Sequence, residues 1–246
     1  MDLQKPFSYQ FEDTQWLTKL GLGALITLVP ILNFAVAGYV VQIVQNVASG
    51  ASEPLPQWDD FGEKFRDGLI LAVAALIYTV PILVFLCLPL SVLIASGILS
   101  SNSDLKDVAS ALAAVGGVTL LCLFGLFMLY ALVLSIIRPI ILVIFSRERT
   151  LAACFRFGEI WKVLTNHPGP FFTTWGVVIL AGLAVGIIVG FITLVVGWIP
   201  CLGGLVSVLL SLGTTIYLVT ADAYLFGEFR RVALDGAPAP ASPAVP

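Results

Sequence analysis

Arg138 and Asp222 are charges set inside long apolar stretches, and as a guanidinium and a carboxylate they could do chemistry together. Arg138 precedes Arg147 by nine residues, and Asp222 precedes Arg230 by eight. At a rise of 1.5 Å per residue, both would lie roughly 12–13 Å in from the basic ends of their helices. An unpaired charge in lipid is costly, so matched depth and opposite sign predict an intramembrane ion pair. Such a pair either neutralises itself as a structural contact or helps to move protons or ions. The residue types leave both readings open. Asn33 is another polar residue on an apolar run and is expected to bond a neighbouring helix.

A second constellation is a repeated tripeptide. Phe61-Gly62-Glu63, Phe157-Gly158-Glu159 and Phe226-Gly227-Glu228 use three of the six glutamates. Composition alone predicts on the order of 0.03 copies, so this echo is not expected by chance. Each copy is followed within four residues by a base: Lys64, Lys162 or Arg230. Phe can anchor in the headgroup layer, Gly permits close helix approach, and Glu can pair with the base. The copies read either as a collar beneath the helices or as three independent interfacial belts.

Other candidates for chemistry fall away. His167, in "NHPGP", starts a turn and has no second His or Cys near it, so no metal ligation is predicted. Cys87, Cys122, Cys154 and Cys201 lack C-x-x-C spacing, which implies neither disulfides nor a metal. Asp59 and Asp60 are adjacent carboxylates, but an exposed helix face lacks the desolvation that a general acid needs. No G-x-S-x-G, H-E-x-x-H or P-loop pattern occurs. No enzyme activity and no cofactor are predicted.

Composition defines the elements that must position these residues. The chain has 246 residues, of which 59% are hydrophobic and 11% charged, and its mean hydropathy is +1.03. A soluble domain is typically about 45–50% apolar and about 25% charged. So much apolar surface requires lipid as part of the solvent. A net charge of −3 with twelve Lys and Arg argues against a nucleic-acid partner. The N-terminus lacks a basic start followed by an apolar core, so no cleaved signal peptide is expected.

Five apolar runs follow a polar segment at 1–16: 17–48, 68–100, 109–145, 171–198 and 202–226. A crossing needs about 20 apolar residues, so the chain reads as an all-α, polytopic membrane bundle of about five helices. Prolines 81, 89 and 139 are expected to kink their helices rather than break them. The run 17–48, split by Pro30, is long enough for one kinked crossing or for a re-entrant hairpin. One transmembrane domain over 17–229 is expected, followed by a disordered Pro/Ala-rich tail at 236–246.

Basic residues orient the bundle. Lys64, Arg66, Arg147, Arg149, Arg156, Lys162, Arg230 and Arg231 share one side, which the positive-inside rule makes cytoplasmic. A hairpin at 17–48 would add Lys5 and Lys19 to them. On that side, Trp58, Phe61, Phe65 and Leu69 fall on one helical face, with Asp59, Asp60, Glu63, Lys64 and Asp67 on the other. This predicts an interfacial amphipathic helix near 58–67, aromatic side down, with a second near 148–165. Gly182, Gly186 and Gly190 form a stripe that lets a helix be approached closely. Its use is expected in a hairpin of the fourth and fifth runs or in a homodimer.

The segment "GYVVQIVQNVASGASEPLPQWDDFGEKFRDGLILAVAALIYTVP" (38–81) resembles an uncharacterised prokaryotic membrane family, domain of unknown function 4013. The likeness rests on Gly38-Tyr39, on Leu55-Pro56-Gln57-Trp58-Asp59-Asp60-Phe61-Gly62, on Phe65–Leu69 and on Ile77–Pro81. Members often carry arginines where this chain has Gln42, Gln45 and Asn46. The resemblance implies a prokaryotic polytopic membrane protein and no particular activity.

The leading functional reading is a non-enzymatic membrane scaffold or interaction protein in the plasma membrane, with its C-terminus in the cytoplasm. Its partners would be the lipid bilayer and a membrane or cytoplasmic protein. The alternative is a small transporter or channel with a polar path near Arg138, Asp222 and Asn33.

Overall fold

The computed structural model describes residues 4–199 and 202–236 and is helical, with no strand among the described residues. Its elements are α1 (Lys5–Glu12), α2 (Trp16–Thr27), α3 (Asn33–Ser49), α4 (Phe61–Leu99), α5 (Lys106–Glu148), α6 (Phe157–Asn166), α7 (Pro168–Val196) and α8 (Leu202–Ala233). Short 3-10 turns at Ser103–Leu105 and Leu151–Phe155 precede α5 and α6. Local chemistry accounts for several boundaries. Pro168 opens α7 where its missing N–H costs nothing. Gly50 closes α3 in the left-handed region, at φ 75°. The Asn102 side chain accepts a hydrogen bond from the Asp104 backbone N–H before the first 3-10 turn. The tail beyond Gly236 lies outside the described residues.

Among the described residues, four helices, α4, α5, α7 and α8, are long and apolar enough to cross a membrane. The expected count of about five is an approximate one, since the first run supplies shorter helices. Pro30 and its neighbours divide that run into α2 and α3, of roughly 18 and 25 Å at 1.5 Å per residue. Both are shorter than a hydrocarbon core of about 30 Å. The two helices fold back on each other. Trp58 donates its indole N–H to the Lys19 carbonyl of α2 at 2.8 Å and stacks face to face on Tyr39 of α3, with centroids 4.4 Å apart. Prolines 81, 89 and 139 lie inside unbroken helices.

The chain forms two compact units, one of residues 1–72 and 139–246, the other of residues 73–138. The second unit is a helical hairpin. Tyr130 donates to the Tyr78 carbonyl at 2.8 Å, its ring meets Phe85 edge-on, and Gly116 lies close against Leu93. Most of its large apolar side chains are exposed, as lipid-facing helices require.

In the first unit, burial divides each long helix. Most of Ile140–Ser146 of α5, Phe171 and Thr174 of α7, and much of Ile216–Phe229 of α8 are buried. Further along, Ile179–Val195 of α7 and Leu205–Leu209 of α8 expose large apolar side chains. The core gathers Tyr9, Tyr39, Val40, Ile43, Val44 and Tyr224, so α3 and α8 meet at its centre. It forms a base, and the lipid-facing parts of α7 and α8 extend from it.

Candidate functional site

Two glycines set the tightest contacts in the base. A Cβ on Gly38 of α3 would overlap the Lys64 carbonyl of α4, and a Cβ on Gly68 would overlap the Phe34 carbonyl. The two backbones can touch only because both side chains are hydrogen. Both glycines belong to the segment that carries the family resemblance. A third close approach is at Gly227 of α8, where a Cβ would stand 2.6 Å from the Val47 side chain.

This contact turns part of the expected polar face inward. Residues 58–60 precede the helix, which starts at Phe61, instead of forming a surface helix of their own. Lys64 is only 1% exposed, and its ammonium lies 3.6 Å from the exposed Asp59 carboxylate. Asp67 is also buried. Phe61 and Leu69, by contrast, are exposed, and Trp58 is half-buried against Tyr39. The sequence pattern assigned the two faces by polarity, but glycine-mediated packing against α3 decides which one is covered.

Arg149, just beyond α5, clamps the same turn of α4. Its Nε donates to Asp67 Oδ2 at 2.6 Å, and its terminal nitrogens donate to Asp67 and Glu63. Burial lowers the Arg149 pKa, but its hydrogen bonds to the Asp67 and Glu63 carboxylates outweigh it, so the net shift is upward. The residue holds a left-handed backbone, φ 54°, which a non-glycine residue adopts at a cost. Arg156 makes a parallel arrangement, bonding Glu148 at 2.5 Å and reaching Glu159 at 3.5 Å.

A pair buried at both ends fastens the hairpin. Lys19 donates to Asp13 Oδ2 at 2.5 Å and to the Leu55 carbonyl at 2.9 Å, and both side chains are 5% exposed. The Gln15 backbone N–H donates to the other Asp13 oxygen at 2.7 Å. Helix α1 is bound to α8 in turn: Tyr9 donates to the Thr220 carbonyl, Gln10 to the Tyr217 carbonyl, and Tyr217 to the Phe7 carbonyl. At the end of the base, the Ser146 carbonyl accepts hydrogen bonds from Gln45 at 2.8 Å and Arg230 at 3.2 Å. Asn46 donates to the Pro54 carbonyl. Gln45 and Asn46 thus serve as internal ties.

The three Phe-Gly-Glu copies separate into two kinds. Phe61 and Phe157 each open a helix and are exposed, and Glu63 and Glu159 pair with Arg149 and Arg156. Phe226 is buried inside α8, Gly227 packs on α3, and Glu228 pairs with Arg231 at 3.6 Å. The third copy therefore lies in the packed base and not at an interface, because α3 covers it. Around the middle copy, α6 buries Ile160 and Val163 and exposes Phe157 and Trp161. Burial pushes the Cys154 thiol up to about 11, so it is un-ionised at neutral pH and unsuited to nucleophilic work.

Arg138 and Asp222 fall in different units. Arg138 is exposed at the end of the second, and Asp222 is half-buried in the first. Asp222 belongs to the protein-covered part of α8, beyond its lipid-facing stretch, because α8 continues into the base. Asn33 is exposed as the first residue of α3. A Cβ at Gly182, Gly186 or Gly190 would meet nothing within 4 Å, so the stripe is not the contact between α7 and α8. Among the described residues, no group of three His, Cys, Asp or Glu could hold a metal.

The sequence reading passed over Asp13, Lys19, Gly68, Arg149 and Ser146 as residues that build the base. Gly68 was visible within the resemblance segment, and Glu63 and Asp67 stand one helical turn apart, which is the spacing a single arginine can bridge. Asp13, Lys19 and Arg149 carried no comparable signal.

Among the described residues, four long apolar helices with exposed apolar side chains and no strand define a multi-pass, helical membrane protein. Residues 22–194 match the family model described as Protein of unknown function (DUF4013). The chain belongs to that family. No curated protein and no solved structure matches the chain.

Proposed function

We propose that this chain is a non-enzymatic scaffold or interaction protein of the plasma membrane, with its base and C-terminus in the cytoplasm. One observation carries the reading. The charged side chains of the base bind one another across elements, as Asp13 does Lys19, Asp67 and Glu63 do Arg149, and Glu148 does Arg156. Charges used in this way fasten helices together and leave a preformed surface on which another protein can dock. The orientation follows from ten of the twelve basic residues falling on the base side when α2 and α3 form a hairpin, with Lys106 between the second and third long runs. Exposed Phe157 and Trp161 on α6 offer a rigid aromatic contact, the type of side chain enriched at interfaces.

The test is reconstitution of the purified chain into proteoliposomes with entrapped pH- and ion-sensitive dyes, together with photocrosslinking from position 161 in cells. A scaffold gives the flux of empty vesicles and a discrete crosslinked product. Flux above that background, lost in Asp222→Asn, would replace this reading with the transport alternative.

A further inference from the structure

The α2–α3 hairpin ends in a cluster of exposed apolar side chains that no role so far accounts for. Leu25, Leu28, Val29, Ile31 and Leu32 surround Pro30 at its tip, all exposed. Its other end is polar and buried, held by the Asp13–Lys19 pair and by Trp58. The packing fixes which way the tip points. Along α3, Val47 meets Gly227 near the end of α8, while Gly23 of α2 meets Ile216, further back along α8. Against α4, Gly38 meets Lys64, whereas Phe34, nearer the tip, meets Gly68, further along α4. Both comparisons aim the tip away from the base, in the direction in which α8 becomes lipid-facing.

We propose that this tip is a membrane-insertion site whose partner is the acyl-chain layer of a single leaflet, the one nearer the base. The arms reach roughly 18 and 25 Å at 1.5 Å per residue, part of which is spent inside the base. The tip therefore ends within a hydrocarbon core of about 30 Å and does not emerge from it. Five apolar side chains around a turn would be a costly patch in water and are at home among acyl chains. The helical arms satisfy their own backbone groups, as hydrocarbon demands. The insertion is held rigidly, because Lys19 of α2 is tied to Trp58 and Leu55 and Tyr39 of α3 stacks on Trp58. It adds area to one leaflet only, which distinguishes it from the four spans.

Site-directed spin labelling tests this. A nitroxide is placed at Ile31 in the full chain, with the native cysteines replaced, and the protein is reconstituted into phosphatidylcholine–phosphatidylglycerol nanodiscs. A second label at Thr18, exposed near the base end of α2, serves as the reference. Collision with oxygen should be several-fold favoured over collision with a water-soluble nickel chelate at Ile31, and the preference should reverse at Thr18. Nickel access at Ile31 would overturn the proposal, since the tip would then be in water. Shielding from both reagents, with spin–spin broadening that vanishes on dilution with unlabelled protein, would also overturn it, because a second copy would cover the tip. If the Ile31 variant does not fold, the same measurement at the exposed Leu28 decides.

Discussion

The Lys64 carbonyl occupies the place where a Cβ on Gly38 would stand, and the Phe34 carbonyl does the same for Gly68. The two overlaps occur within about one helical turn of each other, so α3 and α4 touch along a seam with room only for hydrogen. Gly38→Ala and Gly68→Ala should each lower thermal stability in detergent by more than ordinary overpacking, which costs about 1–3 kcal/mol. The atoms in the way are backbone and cannot swing aside. A melting temperature within error of the parent for both variants would refute the seam.

Gly186 makes the contrasting case. A Cβ there has open space, so Gly186→Leu should leave the melting temperature of the solubilised monomer unchanged. Size-exclusion chromatography with light scattering checks whether the same change removes a dimer. A large loss of monomer stability would show that another element packs on the stripe.

The Asp13–Lys19 pair is desolvated at both ends. Lys19→Met alone should cost about 3–5 kcal/mol, because it leaves the carboxylate buried and uncompensated. The double change Asp13→Leu with Lys19→Met should recover part of that loss. Chemical denaturation of the three variants measures the coupling, and additive losses would mean that the charges act independently.

Arg149 reaches Asp67 with two nitrogens, and the Asp67 side chain is 2% exposed against 30% for the arginine. Removing the arginine strands a buried carboxylate, so Arg149→Ala should destabilise more than Glu63→Gln, whose carboxylate faces solvent. The expected loss is about 2–4 kcal/mol, reduced from the fully buried case by the partial exposure of the arginine. Equal effects of the two changes would show that Asp67 contributes nothing to the clamp.

Topology can be mapped with an impermeant thiol reagent in intact cells. Cysteines at Asp60 and Glu159 should be protected and one at Asn102 should react. Because α2 and α3 fold back, a cysteine at Ser8 should behave like one at Asp60. Outside labelling at Ser8 would mean that the first run crosses the membrane.

Much of this architecture was legible along the chain. Hydropathy located the four long helices, because lipid-facing helices advertise themselves through uninterrupted apolar composition, and the NHPGP segment at His167 marked a turn through its own backbone chemistry. Gly38 and Gly68 were already visible within the segment that resembles the family. These are local properties, readable without knowing what lies opposite.

What lay opposite was decided only by the tertiary structure. Pro30 permitted either a kink or a reversal, and the anchoring of Lys19 and Tyr39 on Trp58 selected the reversal. Polarity alone placed Lys64 and Asp67 on a wet surface, yet the glycine seam draws that turn of α4 against α3 and buries both. Phe226 carries the same tripeptide as Phe61 and Phe157 but is covered, since α8 runs on into the base where α3 packs. The glycine stripe of α7 promised a helix contact and faces open space. A sequence states what each face could do, and the partner that arrives from elsewhere in the chain settles which face is used.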